Sequence, residues 1–217
     1  MNRILYFDLE TKYSADEVGG WGNIEDMGMS IGVIWDTLDE KFHVYIEHQI
    51  KEMVDHFYRA DQIVGFNHVG FDYRVVAGVR YADSHERSRL HTELAGLKNF
   101  DMLLELKKLL GHRLKLESIA RPTLGTGKSA DGLQALKWYK EGKLDKIIAY
   151  CKVDVEVTRD VHLYALENGK LHYDSRSGIK TVSVDWNSQP KNRSHSKCLC
   201  FSSSNLLLSV LWSPKQT

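Results

Sequence analysis

Asp8 and Glu10 close the run Ile4-Leu5-Tyr6-Phe7-Asp8-Leu9-Glu10, whose apolar and aromatic residues read as a buried strand. Side chains alternate along a strand, so residues i and i+2 share a face. The two carboxylates therefore point the same way, repel each other and raise each other's pKa. A divalent cation is the simplest compensation. A lone D-x-E can equally open a solvated loop, so the weight falls on what else the chain brings to it. Asp72 follows Asn67-His68-Val69-Gly70-Phe71, directly after the short buried run Ile63-Val64-Gly65-Phe66. Asp154 lies on a stripe with Tyr150, Val157, Val161 and Ala165, the spacing of one helix face. That face is mostly apolar, and a carboxylate buried there without a partner is costly. Sharing a cation with Asp8 and Glu10 would answer its charge. Tyr150 stands one turn earlier on the same face.

These residues need elements to position them. Met29 to Trp35 and Phe42 to Ile46 read as two further strands. Phe42, Val44 and Ile46 form the inner face, and a turn over Asp36 to Lys41 makes a hairpin. With the first strand they give three antiparallel strands. Ile50, Met53, Val54 and Phe57 sit at i, i+3, i+4 and i+7, a helical stripe leading to the strand at Ile63. A strand reached through a helix is expected to lie parallel to the first. Open α/β sheets gather ligands beyond such strand ends, which would bring Asn67 and Asp72 towards Asp8 and Glu10. A helix follows Asp72, with Val75, Val76 and Val79 inward. Residues 82–93 are polar and read as loop. Phe100-Asp101 ends another strand, and Asp101 is expected to cap the helix of Met102, Leu103, Leu106, Leu109 and Leu110. A long helix from Leu144 stops near Gly169. Lys170 to Asp174 and Ile179 to Trp186 suggest a terminal hairpin. The class is α/β: a mixed sheet, three antiparallel strands plus parallel ones, flanked by helices.

Composition narrows the chemistry. The chain has 217 residues and a formal net charge of zero. No acid follows Asp185, whereas Lys191, Arg193, Lys197 and Lys215 do, so residues 1–185 carry a net −4. Bulk charge would not hold a polyanion. A nucleic acid would need a local basic path and metal ions. Lys107, Lys108, Arg113, Lys115, Arg121 and Lys128 against the single acid Glu117 are a candidate path, or simply a solvated face. Three cysteines, Cys151, Cys198 and Cys200, set up no disulfide framework. No apolar stretch approaches the roughly 20 residues of a membrane span, and no signal peptide is evident. The expectation is a soluble cytoplasmic protein with no membrane association and no evident protein partner. Leu124-Gly125-Thr126-Gly127-Lys128-Ser129 imitates a phosphate-binding loop, but Pro122 stands where that pattern needs Gly. A flexible loop presenting Lys128 to substrate is the better expectation. Residues beyond Asn187 are Ser-rich and read as a mobile basic tail.

Taken together, Phe7-Asp8-Leu9-Glu10-Thr11, Asn67-x3-Phe71-Asp72 and Tyr150-x3-Asp154 resemble, in order, the three motifs of the DEDD superfamily of 3′–5′ exonucleases. The Tyr four residues before the last acid is similar to the "y" branch, as in proofreading domains of family B DNA polymerases. The "h" branch would want His where this chain has Ala149. Tyr150-Cys151-Lys152-Val153-Asp154-Val155-Glu156-Val157-Thr158 also looks like stand-alone bacterial proteins described as predicted 3′–5′ exonucleases. The resemblance covers about residues 1–174, as a ribonuclease H-like exonuclease domain, with 175–217 as hairpin and tail.

The resemblance implies two Mg²⁺ or Mn²⁺ ions. Asp8 would bridge them, Glu10 and Asp154 would complete one site, and Asp72 would hold the other. Tyr150 would orient water. Asn67 and Phe71 would contact the terminal nucleotide, Phe71 by stacking. The implied activity releases nucleoside 5′-monophosphates from the 3′ end of single-stranded DNA or RNA, with DNA favoured. The alternative is a helicase-associated or stand-alone nucleic-acid-binding module of the same fold with little nuclease activity. The intact acid set weighs against it.

Overall fold

The computed structural model describes residues 2–125 and 132–187. Its centre is β1 (Ile4–Thr11), flanked on one side by β2 (Met29–Asp36) and then β3 (Lys41–Tyr45), both antiparallel. Next come α1 (Ile50–Phe57) and β4 (Gln62–Gly65), which pairs parallel with β1 on its other side. Two helices follow, α2 (Asp72–Arg80) and α3 (Ser84–Ala95). Then β5 (Asn99–Asp101) joins parallel to β4, giving the order β3-β2-β1-β4-β5. The expected mixed sheet is present, with its acid-bearing strand in the middle. The C-terminal ends of the three parallel strands open on one side, as the helical crossovers require.

The remaining helices are α4 (Met102–Leu110), α5 (Leu116–Leu124), α6 (Gly132–Lys140) and α7 (Leu144–Asn168). The chain then forms the hairpin β6 (Lys170–Ser175) and β7 (Gly178–Ser183), a separate two-stranded sheet. Among the described residues, no helix is long and apolar enough to cross a membrane.

The sheet separates two cores, and β1 feeds both by alternation. Leu5, Phe7 and Leu9 face Met53, Phe57, Tyr73 and Val76 of α1 and α2. Phe7 meets Phe57 edge-on at 4.8 Å between ring centres, a favoured aromatic geometry. Tyr6 faces the opposite way, towards Cys151, Val155 and Val161 of α7. Asp8 and Glu10 share the Tyr6 side by the same period of two. The face of β1 that carries the acids is thus the face covered by α7.

Three expectations change. Residues 84–95 are helical, not loop. That helix has only Leu90 and Leu94 fully buried, so its apolar stripe is too thin to announce itself. Its start is set by Asp83, whose carboxylate accepts from the N–H groups of His85 and Glu86. Leu109 is exposed, so the stripe of α4 is narrower than its sequence suggests. The compact body also runs past residue 174, through Asn187. Leu171, Tyr173, Val184 and Trp186 are buried in the α7-side core, which makes the hairpin part of that body. The tail expected beyond it lies outside the described residues, as does Lys128.

Gly78 matters for the edge of the site. A short 3-10 segment, Trp21–Asp26, lies against α2 at this point. A Cβ on Gly78 would stand 1.7 Å from the carbonyl oxygen of Glu25. Arg74 clamps the same segment, donating to Glu25 at 2.6 and 2.8 Å and to the Gly22 carbonyl at 3.0 Å.

Candidate active site

Asp8, Glu10 and Asp154 each offer an oxygen, and these oxygens all lie within 4.8 Å of one another. Two physical facts bring them together. The pleat sends Asp8 and Glu10 to one side of β1, and α7 crosses that side with Asp154 facing the strand. Tyr6 meets His162, its hydroxyl 3.0 Å from Nδ1, while Asp8 meets Cys151 further back along α7. The helix therefore runs against the strand direction. A register shift between Glu10 and Thr11 breaks the β1–β2 ladder at the acid pair. Such bulges re-aim side chains at strand ends.

Asp72 is the first residue of α2, at the positive end of the helix dipole. It is 4 % exposed. It stands outside the group of three, yet near enough for its charge to raise the pKa of Asp8. All four acids are pushed upward, first by desolvation. Asp72 rises to about 7, with Asp101 adding to the effect. Asp154 rises to about 6, while the nearby Tyr150 hydroxyl opposes the change. Asp8 and Glu10 rise well above the ordinary carboxylate range, each repelled by its neighbours. Among the described residues, no Lys or Arg pairs with any of the four.

That imbalance is the fit test for cations. Oxygen-rich, crowded and uncompensated, the set suits hard divalent ions such as Mg²⁺ or Mn²⁺. A second cluster shows the contrast. Asp36, His43 and His56 also bring ligand atoms within 4.8 Å. There Asp36 already accepts from Arg3 Nε at 2.7 Å and bonds His56 Nε2 at 2.8 Å. Its pKa is lowered: burial opposes the carboxylate, but His56, the Leu38 N–H and Arg3 outweigh it. The charge is answered within the protein, and a cation would have to displace Arg3.

Tyr150 sits on α7 one turn before Asp154, with its hydroxyl near that carboxylate. Burial, then the charges of Asp154 and Glu10, drive its pKa far upward. It keeps its proton at any working pH. Cys151, fully buried beside it, directs its thiol at the Asp8 carbonyl and carboxylate, both at 3.5 Å. Nothing in the sequence marks it except its place after Tyr150.

Asp101 does more than the expected capping. Its Oδ1 accepts from the N–H groups of Leu103 and Leu104 at 3.1 and 3.3 Å. The same carboxylate accepts from the N–H of Asn67 at 2.9 Å and of Val69 at 3.1 Å. The loop between β4 and α2 therefore hangs from the end of β5. Asn67 takes a left-handed conformation, φ 69°, which Asn tolerates better than most residues. Its carbonyl accepts from Phe71 N–H at 3.0 Å.

Phe71 borders a cleft of about 420 Å³ that begins at Glu10. Tyr13, Trp21, Leu133 and Leu136 line it as well. Trp21 is 70 % exposed, its ring centre 6.4 Å from that of Phe71. Sequence reasoning misses Trp21, whose only signal is an aromatic among glycines. Five of the six expected residues other than Lys128 and Asp72 thus surround one point or its rim: Asp8, Glu10, Asp154, Tyr150 and Phe71. Asn67 is tied to the same loop.

Residues 5–165 match the model of the RNase_H superfamily. The chain belongs to that superfamily. Among solved structures, it is similar to the family B DNA polymerase from the hyperthermophilic archaeon Pyrobaculum calidifontis. That likeness has a TM-score of 0.55 at 17 % identity, over 76 % of this chain. The alignment spans 25 % of the polymerase chain, so it speaks for the fold alone. No curated protein matches the sequence. In this fold Asp8 and Glu10 stand near the end of β1 and Asp72 at the start of α2, while Asp154 comes from the middle of α7 where it crosses β1.

Proposed function

We propose that this protein is a metal-dependent 3′–5′ exonuclease acting on single-stranded DNA or RNA. The observation that carries the reading is the uncompensated group Asp8, Glu10 and Asp154, with the Tyr150 hydroxyl near Asp154, beside an aromatic cleft. Membership of the RNase_H superfamily and likeness to a DNA polymerase support nuclease chemistry.

Asp8, Glu10 and Asp154 would hold one cation and Asp72, with Asp8, a second. When bound, a divalent pair supplies charge neutralisation, a more acidic water and stabilisation of the leaving oxygen. The chain's own residues do the rest. Tyr150 stays protonated, so it serves as a donor that orients water and cannot act as base. The water attacks phosphorus, the bond to the 3′ oxygen of the preceding nucleotide breaks, and a nucleoside 5′-monophosphate leaves. The cleft beside Glu10 gives the terminal base apolar walls, with Phe71 and Trp21 as stacking surfaces. Stacking is tolerant of base identity, which suits a strand shortened one nucleotide at a time. Asn67, held in the same loop as Phe71 and Asp72, is the second residue assigned to the terminal nucleotide.

The test is digestion of 5′-labelled single strands, DNA and RNA in parallel, with Mg²⁺, Mn²⁺ or EDTA. A metal-dependent ladder shortening from the 3′ end is expected. Strand binding without any ladder would favour a binding module on the same fold.

A further inference from the structure

Six basic residues between 107 and 128 form a candidate path for a strand, and among the described ones three differ in what they pair with. Lys108 answers Glu105 at 2.6 Å, and Arg121 answers Asp174 at 2.5 Å. Arg113 behaves differently. It lies in the connection between α4 and α5, and its Nη2 donates to Asn67 Oδ1 at 2.9 Å. Among the described residues it pairs with no carboxylate. Asn67 is itself held at three points: N–H on Asp101, carbonyl on Phe71 N–H, side chain on Arg113. The guanidinium is therefore fastened to the loop that delivers Phe71 and Asp72.

We propose that Arg113, docked on Asn67, anchors a backbone phosphate of the bound strand. This rests on the nuclease reading above and adds a residue to it. A guanidinium carries five N–H donors in a planar fork. One is spent on Asn67, which leaves a face suited to two oxygens of one phosphate. An exposed arginine ordinarily samples many rotamers. Docking on a fixed amide removes much of that freedom before the ligand arrives. Among the described residues Arg113 pairs with none of the four acids, so it can draw in the strand without neutralising the metal ligands. A net-acidic body that presents a positioned, unpaired cation binds a strand at a defined phosphate, whereas a broad basic face would bind anywhere along it.

The experiment is a linkage scan. Fluorescent oligothymidylates carry a neutral methylphosphonate at one position at a time, counted from the 3′ end. Affinity is measured by anisotropy with Ca²⁺ in place of the catalytic ion. In the wild type, one position should cost about tenfold in Kd, as loss of a charge-assisted hydrogen bond does. Arg113→Ala should bind the unmodified strand about tenfold more weakly and lose nothing further at that position. Its slope of log K against log salt should fall by about 0.7, one phosphate's worth on a single strand. Arg113→Lys should keep the slope and recover part of the affinity, and it serves if the alanine variant folds poorly. An Arg113→Ala Kd equal to wild type, or an unchanged penalty at the neutral linkage, overturns the proposal while digestion by the wild type leaves the nuclease reading standing. A wild type that neither binds nor shortens strands overturns both.

Discussion

Replacing Asp72 with Asn removes a carboxyl that is 4 % exposed and leaves a neutral group of nearly the same shape. Burial, with the charge of Asp101, lifts the Asp72 pKa from 3.8 to about 7. In the unfolded chain an Asp titrates near 3.9. Between those values the folded protein keeps a proton that the unfolded chain has released. Without metal, this carboxyl favours the folded state below about pH 4, and the contribution is lost as pH rises through about 7. Each pH unit of that gap is worth about 1.4 kcal/mol, so the whole is on the order of 4 kcal/mol. The substituted amide never ionises, and its neutrality also relieves Asp8, which Asp72 repels. In EDTA, the stability of Asp72→Asn relative to wild type should therefore grow by about 4 kcal/mol between pH 4 and pH 8. For a body of this size that is roughly 10 °C in Tm. Thermal melts of both proteins across that range measure it. Groups titrating alike in both proteins cancel. Adding Mg²⁺ or Mn²⁺ at pH 8 should raise the wild-type Tm more than that of the variant, because the cation neutralises the charge that Asn lacks. A difference that stays flat with pH would refute the claim that Asp72 is held against its ionisation. A cation that stabilises both proteins equally would refute its role as a ligand.

Asp8→Ala and Asp154→Asn should each lower kcat/KM by roughly a thousandfold or more in the digestion assay, with circular dichroism unchanged. Full activity in Asp8→Ala would remove the mechanism. Tyr150→Phe should cost less, about ten- to a hundredfold, and should fall on kcat more than KM, since the hydroxyl orients rather than binds. Gly78→Ala should destabilise by about 2 kcal/mol or more, because the new methyl meets the backbone of Glu25 and not a movable side chain; an unchanged urea midpoint would contradict it. Asp101→Ala strips the acceptor from four N–H groups, those of Asn67, Val69, Leu103 and Leu104. A loss of about 2–5 kcal/mol is expected, with faster hydrogen exchange at Asn67 and Val69.

Much of the sheet is legible from local signals. The β1 run, the α1 stripe and the crossover to β4 each follow from periodicity, and they suffice to place Asp8 and Glu10 on one face. Residues 84–95 defeat the same method, because α3 buries two leucines and draws its start from the Asp83 cap. The candidate site divides in the same way. Asp8 with Glu10, and Tyr150 with Asp154, carry spacing that a strand or helix converts directly into a shared face, while Asp72 is placed by the parallel crossover that precedes it. Cys151, Trp21 and Arg113 carry none. Their positions depend on which element packs against which: α7 laid across β1, the Trp21–Asp26 segment seated on Gly78, and the α4–α5 connection reaching Asn67. The acids and their order were determined by the sequence, since alternation and helical period act over a few residues. What surrounds them was decided by tertiary packing, because contacts between residues 46 or 143 apart in the chain leave no trace in any local pattern.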